Sequence, residues 1–171
     1  ASSDDDPAIS ALAQQNLELA SLLQTESQAV VQDQQQLAVQ EAQRDRIVES
    51  LRETRARLEL GSSSVSMGQW LWKQRQGMPS SYALQLQRRK LEQQIGELRL
   101  QLYNLNEQQR RLQGSTASAA SQTSDQAQTL NRWQLTQADL VEQLIPVLRR
   151  RIVLLEHSHA ALFTIDERGS E

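Results

Sequence analysis

The sequence predicts an all-α protein, an elongated antiparallel coiled-coil-like bundle of three long helices and one short corner helix. The first indication is composition, because 27 Gln and 26 Leu stand against nine Gly plus Pro among 171 residues, and unbranched side chains favour helices. The second is that Leu recurs at seven-residue spacing. The third is that Gly, Ser and Pro gather between these repeats. Together these features argue against a compact β or α/β enzyme.

The first long helix is predicted over residues 6–60. Asp6 followed by Pro7 is a helix start signal, and residues 8–60 contain no Gly or Pro. Eight residues of this helix lie at strict seven-residue spacing, and six of them are apolar: Ile9, Asn16, Leu23, Val30, Leu37, Arg44, Leu51 and Leu58. A weaker second column is formed by Leu12, Leu19, Ile47 and Val48. We expect Leu23, Leu37 and Leu51 in the seam of the bundle.

A turn and a short corner helix are predicted to follow. Residues 61–68, which begin with Gly61-Ser62, hold two Gly and four Ser, and these residue types end helices. A corner helix over residues 69–76 stops at the sequence Gly77-Met78-Pro79-Ser80, and Ser80 or Ser81 caps the next helix. We expect its tryptophans, Trp70 and Trp72, to close the end of the core rather than to anchor in a membrane interface.

The second long helix, over residues 81–113, has the most regular pattern in the chain. It carries five Leu at unbroken seven-residue spacing: Leu84, Leu91, Leu98, Leu105 and Leu112. We place Leu91, Leu98 and Leu105 in the core seam. Residues 114–124 are small and polar, and we predict a flexible connector there because they have little apolar surface to bury.

The third long helix is predicted over residues 125–165. One apolar stripe runs along it through Leu130, Trp133, Leu140, Leu144, Leu148, Ile152, Leu155 and Leu162. Leu140 and Leu155 are assigned to the core seam. Pro146 lies within the stripe and removes one backbone hydrogen bond, so we expect a kink near it or a short break.

No catalytic, cofactor-binding or metal-binding residue is predicted, and the chain is not expected to be an enzyme. The absence of Cys from the sequence excludes disulfides, thiolate metal sites and cysteine nucleophiles. His157 and His159, spaced by two, point to different sides of a helix, whereas ligands of a shared metal ion require a spacing of three or four. The sequence contains no Gly-rich phosphate loop, nucleophile elbow or Ser/His/acid set.

The basic clusters do not predict a nucleic-acid partner. Residues 88–90 lie inside the leucine repeat rather than before it, and the net charge of the chain is -3. Residues 149–151 are three consecutive Arg that fan out by about 100° each. We interpret them as a solvated face paired with Glu142 or Glu156, in preference to an anionic-lipid site. The longest apolar runs are shorter than the roughly 20 residues of a membrane span.

The order of these features resembles a known family. A long Gln-rich helix is followed by Gly61-Ser62, by a short element containing Leu71, by Met78-Pro79-Ser80 and by a second Leu-rich helix. This resembles the periplasmic region of large mechanosensitive channels of the MscS family, and more closely that of the potassium-dependent KefA/MscK type. The chain departs from that pattern in its Ser/Ala connector and in Met78, where Leu is usual.

The resemblance implies a single periplasmic helical domain of a channel subunit, spanning residues 1–171. The parent would be anchored in the bacterial inner membrane and assemble as a homo-oligomer, expected to be a heptamer. A signal peptide would lie upstream and a transmembrane region downstream, in keeping with a chain that starts at Ala1 as a processed or excised segment. Its partners would be other helices of the same subunit and neighbouring subunits, and its function to transmit or tune the response to membrane tension and to support assembly.

Two other functions fit the same pattern. A periplasmic adaptor or scaffold could bridge envelope proteins through a helical hairpin, although an adaptor would place β-rich segments on both sides of the hairpin. The composition does not exclude a cytoplasmic coiled-coil organiser. The flanking sequence distinguishes all three.

Overall fold

A computed structural model describes residues 7–61, 68, 69, 72, 79–119 and 125–169 of the chain. Three long helices account for most of them: α1 (Pro7–Glu59), α2 (Ser81–Ala119) and α3 (Asp125–Gly169). The described ranges contain no β-strand. The predicted all-α fold class is therefore confirmed, and the helices pack against one another as a bundle.

The end of α1 and the start of α2 each have a clear local cause. Gly61 has φ = 70°, a left-handed conformation that glycine adopts without a steric penalty. Its amide donates to the Leu58 carbonyl at 3.2 Å and thereby closes the last turn of α1. At the start of α2, the Ser80 Oγ accepts a hydrogen bond from the Ala83 amide at 3.1 Å. Ser80 is thus the N-cap of α2.

The second helix continues beyond its predicted end at residue 113. Residues 114–119, predicted as the start of a flexible connector, form the last turns of α2. The segment contains no Pro and includes Ala117 and Ala119, so helical backbone bonds can extend into it from a helix that is already formed, without a new nucleation step. The rest of the predicted connector lies outside the described residues. So does most of the predicted corner helix, of which Gln69 and Trp72 are described and helical.

Pro146 lies inside α3 without breaking it, so the predicted short break is not observed. A proline in a helix interior costs about 3 kcal/mol. The side chains around it offset this cost, because Val141, Leu144 and Leu148 are completely buried and packing, more than propensity, stabilises helices in proteins. Pro146 itself is exposed.

The chain divides into two compact units, and each long helix contributes a segment to both. Unit 1 comprises Ala1–Asp33 and Gly96–Val153, and unit 2 comprises Gln34–Ile95 and Leu154–Glu171. In unit 1, α1 and α3 run in the same direction, because Asn16 contacts Trp133 and Asp33 contacts Arg151. In unit 2, α2 and α3 are antiparallel, since Glu92 contacts His159 and Arg88 contacts Phe163.

Each unit has its own apolar core. The buried apolar side chains of unit 1 are Ile9, Leu12, Leu98, Leu105, Leu112, Val141, Leu144, Ile145, Leu148 and Ile152. Those of unit 2 are Ile47, Leu84, Leu91, Ile95, Leu154, Leu155, Ala161, Leu162 and Ile165. Within the described part of the chain, α3 supplies the largest share of both cores.

The residues predicted for the seam fall into two groups. Four are buried: Leu91, Leu98, Leu105 and Leu155. Four are half-buried: Leu23, Leu37, Leu51 and Leu140. Three of the half-buried residues lie on α1, whose heptad column also contains Asn16 and Arg44. The column of α1 is therefore less apolar than that of α2, and it stays closer to solvent.

Candidate functional site

The core of unit 1 contains charged side chains at positions where a coiled coil usually places leucine. The second column of α1 runs through Leu12, Leu19, Glu26 and Asp33 at seven-residue spacing. Glu26 and Asp33 are buried. Charged residues at such positions are costly unless an opposite charge meets them, and α3 provides that charge.

Arg151 of α3 binds both carboxylates. Its Nε donates a hydrogen bond to Asp33 Oδ2 at 2.8 Å, and its Nη1 donates to Glu26 Oε2 at 2.5 Å. The Arg151 side chain is 15% exposed, comparable to its two partners. Ionised donors and acceptors form shorter and stronger hydrogen bonds than neutral ones. The three residues, hereafter the Arg151 cluster, thus join α1 to α3 within unit 1.

The environment of Arg151 affects its pKa in two opposing ways. Burial lowers the pKa of Arg151, but the hydrogen bonds to Asp33 and Glu26 and their negative charges more than offset burial, so the pKa is raised. Arg151 therefore stays positively charged. Because two carboxylates meet one guanidinium, the cluster has an excess of formal negative charge when both acids are ionised.

The interpretation of residues 149–151 as one solvated face is wrong for Arg151. Arg149 and Arg150 are exposed, whereas Arg151 points into unit 1 and pairs with α1, not with Glu142 or Glu156. The physical reason is the fan of consecutive side chains, since three residues at about 100° intervals cannot all face solvent on a helix with a buried stripe. Arg151 lies seven residues after the fully buried Leu144.

The sequence contained a usable signal for this cluster. The second column of α1 is apolar at Leu12 and Leu19, changes to acidic residues at Glu26 and Asp33, and becomes apolar again at Ile47. Acidic residues on a column that is otherwise uncharged and largely apolar predict a basic partner on the facing helix. Only the apolar members of this column were assigned to it from the sequence, so the burial of Glu26 and Asp33 was not predicted.

A second polar layer joins the same two helices nearer their N-termini. The Asn16 side-chain amide donates to the Trp133 carbonyl at 3.1 Å, and the Gln137 amide donates to Gln15 Oε1 at 3.0 Å. Asn16 and Gln137 are both buried. These bonds are directional, so they fix which residues of α1 and α3 lie side by side.

In unit 2, α2 and α3 are joined by contacts that lie closer to solvent. His159 Nε2 and Glu92 Oε1 are 2.8 Å apart, and Glu92 is 56% exposed. The Arg88 guanidinium lies 4.7 Å from the centre of the Phe163 ring, a cation–π distance. His157 is exposed. Among the residues that the structure describes, no group of three or more His, Asp or Glu is placed to hold a metal ion.

The residues that carry the family resemblance are described in part. Gly61 and Ser80 form the two helix boundaries, and Pro79 between them is half-buried. Ser62, Leu71 and Met78 lie outside the described residues, as does Trp70. The predicted core position of Trp72 is wrong, because its side chain is 65% exposed. A ring is buried only where another element covers it, and no described part of unit 2 covers this one.

The arrangement is therefore a structural one: polar and ionic contacts set the alignment of α1 against α3 in unit 1. None of the described helices is both long and apolar enough to cross a membrane. Comparison of the chain with protein-family models, with curated proteins and with solved structures found no match.

Proposed function

We propose that this chain is a non-catalytic periplasmic helical domain of a mechanosensitive channel subunit of the MscS family. In this role it transmits or tunes the response of the channel to membrane tension during osmotic downshock, and it supports assembly of the homo-oligomer. The observation that carries the proposal is the Arg151 cluster, in which one side chain ties two parallel helices of unit 1 together.

A helical domain transmits displacement only if its helices do not slide along each other. Apolar side chains resist separation but tolerate sliding, because the hydrophobic effect has no preferred direction. The two charge-assisted bonds of Arg151 have defined geometry, and sliding would leave three charges buried without partners. The cluster thus makes unit 1 stiff along its helices, which suits a force-transmitting element.

The family resemblance supports the same proposal. Gly61 and Ser80 carry part of the resemblance, which consists of two long helices separated by a break. In this chain Gly61 ends α1 and Ser80 caps α2. The resemblance also implies that the parent is an inner-membrane channel.

The first experiment is to read the coding sequence beyond Glu171 and record from the whole gene product. We expect several apolar spans of roughly 20 residues downstream and tension-activated currents in membrane patches. Deleting residues 1–165 should change the tension threshold, the ion dependence or the assembly of the channel. If all three are unchanged by the deletion, the proposal is wrong. A β-rich downstream segment without spans would favour an adaptor or scaffold instead.

A second experiment tests the role of the cluster in the same channel. Replacing Glu26→Leu, Asp33→Leu and Arg151→Met together makes the three positions apolar and removes the directional bonds. We expect this variant to require higher tension to open. The matched control is Arg149→Gln with Arg150→Gln, which removes two exposed charges beside the cluster and should leave the threshold unchanged. Equal thresholds in both variants would contradict force transmission through the cluster.

A further inference from the structure

The segment from Leu60 to Leu91 differs in charge from the rest of the chain. Its 32 residues contain five basic and no acidic side chains, whereas the remaining 139 residues contain 13 basic and 21 acidic ones. It also holds two of the three Trp and one of the two Tyr. The whole segment belongs to unit 2. An acidic protein therefore carries one strongly cationic, aromatic-rich segment.

The start of α2 is apolar on two sides. Leu84 and Leu91 face the core of unit 2 and are buried. Tyr82 and Leu86 lie on the opposite side of the helix, at about 100° per residue, and they are 71% and 48% exposed. Two further large apolar side chains of the segment, Leu60 and Trp72, are also mostly exposed.

The exposed side of α2 also carries basic residues. Arg89 follows Tyr82 by seven residues and Leu86 by three, so these three side chains share one stripe. Lys90 lies at the edge of that stripe, and both basic residues are exposed. We call Tyr82, Leu86, Arg89 and Lys90 the cationic stripe. It combines two exposed apolar side chains with two positive charges on a single helix.

We propose that the cationic stripe docks on the surface of an anionic phospholipid bilayer. Tyr and Trp prefer the level of the lipid headgroups, Leu side chains enter the acyl boundary, and Arg and Lys are attracted to anionic headgroups. A nucleic acid would explain the charges but not the exposed Leu86. The inference does not depend on the channel proposal, because it concerns a surface of this chain alone.

The test is flotation of the 171-residue chain with vesicles of phosphatidylcholine containing about one third phosphatidylglycerol. We expect binding that falls at high salt and is weak on pure phosphatidylcholine vesicles. Replacing Arg89→Gln and Lys90→Gln should weaken binding at least tenfold, at about fivefold per cation. Replacing Tyr82→Ser and Leu86→Ser should weaken it on anionic vesicles as well.

The same helix offers matched controls at its other end. Leu100 and Tyr103 are each 62% exposed, and Arg110 and Arg111 form an exposed basic pair. Leu100→Ser with Tyr103→Ser, and Arg110→Gln with Arg111→Gln, should leave vesicle binding unchanged. Circular dichroism establishes that every variant keeps its helices. No binding to anionic vesicles, equal binding to neutral ones, or equal loss in the control pairs would overturn the proposal.

Discussion

At the level of single residues, the stability of unit 1 depends on the Arg151 cluster. Burying three charged groups is costly, and close pairing with short hydrogen bonds offsets part of that cost. Removing different members of the cluster therefore has unequal effects. Loss of one carboxylate leaves a balanced pair, whereas loss of Arg151 leaves two buried negative charges without compensation.

We expect Arg151→Met to lower the free energy of unfolding by about 3–5 kcal/mol, measured by urea denaturation followed by circular dichroism. Glu26→Gln and Asp33→Asn should each lower the free energy of unfolding by less than Arg151→Met does. The control Arg150→Gln changes an exposed neighbour and should stay within about 0.5 kcal/mol of the original chain.

The variant that combines Glu26→Leu, Asp33→Leu and Arg151→Met should be at least as stable as the original chain. Replacing a complete buried ion cluster by apolar side chains is often neutral or stabilising, and the two Leu would extend the column of Leu12 and Leu19. A triple variant as unstable as Arg151→Met would show that these positions do not pack apolar side chains.

The pH dependence of the cluster follows from the raised pKa of Arg151. A base whose pKa is raised by folding gives stability that is complete below its ordinary pKa and is lost as pH rises through the folded value. For arginine that window lies in strong alkali. The difference in unfolding free energy between the original chain and Arg151→Met should thus be constant between about pH 8 and about pH 10. A difference that falls across this range would contradict the raised pKa of Arg151.

At the level of helices, two glycines have opposite roles. Gly96 lies inside α2, and a Cβ placed there would meet nothing within 4 Å. Gly61 ends α1 with φ = 70°. We expect Gly96→Ala to raise stability by about 0.5–1 kcal/mol through helix propensity. We expect Gly61→Ala to lower it by about 1 kcal/mol through backbone strain. Thermal unfolding measures both, and a loss of stability in Gly96→Ala would indicate that another chain approaches α2 there.

The heptad of α2 makes a separate prediction. Leu98 is buried, whereas Leu100 on the same helix is exposed. Leu98→Asp should destabilise the chain by several kcal/mol, because it buries a charge without a partner. Leu100→Asp should change stability by about 0.5 kcal/mol or less. Urea denaturation of the two variants compares the faces of one helix directly, and equal losses would contradict the burial of Leu98.

The helices themselves could be predicted because their signals are local. Seven-residue spacing, Gly61 and the Ser80 cap each act within a few residues, and the helix boundaries follow them. Residues 114–119 were mispredicted because weak helix formers adopt the conformation of the stable helix before them. No break occurs at Pro146, because its buried neighbours offset a local penalty that can be seen in the sequence without its compensation.

Considering the whole molecule, α3 is the most deeply buried helix of the described chain. Leu144, Leu148 and Leu162 are completely buried, and they are distributed over both units. The last turns of α1, from Arg52 to Glu59, are exposed apart from Thr54. Stability against local opening follows burial. The two helices should therefore differ in hydrogen exchange.

We expect the slowest amide exchange in residues 141–162 and fast exchange in residues 52–59, measured by mass spectrometry of peptides from the intact chain. Protection in residues 52–59 equal to that of α3 would show that another surface covers the end of α1. Exchange that is uniformly fast would contradict the packing described for α3.

The candidate site could not be predicted as readily as the fold. Its three residues are joined by contacts between positions about 120 apart in the chain, and no local pattern states which helices lie side by side. The acidic residues on the second column of α1 indicate that a buried base is needed. Choosing Arg151 over Arg149 and Arg150 requires the orientation of α3, which depends on the complete apolar stripe.

The parallel pairing of α1 and α3 has a consequence for how the protein folds. Asp33 and Arg151 are separated by 118 residues. We therefore expect their contact to form late in folding, after α2 and most of α3 are helical. Helices with heptad repeats can pack with one helix displaced by a whole repeat, about 10 Å. Such a displaced packing would still bury much of the apolar surface. In that state Glu26 and Asp33 would lie against Leu144 or Ser158 rather than Arg151. The displaced state would leave buried charges without partners and would be less stable than the native alignment, so the Arg151 cluster favours the correct register.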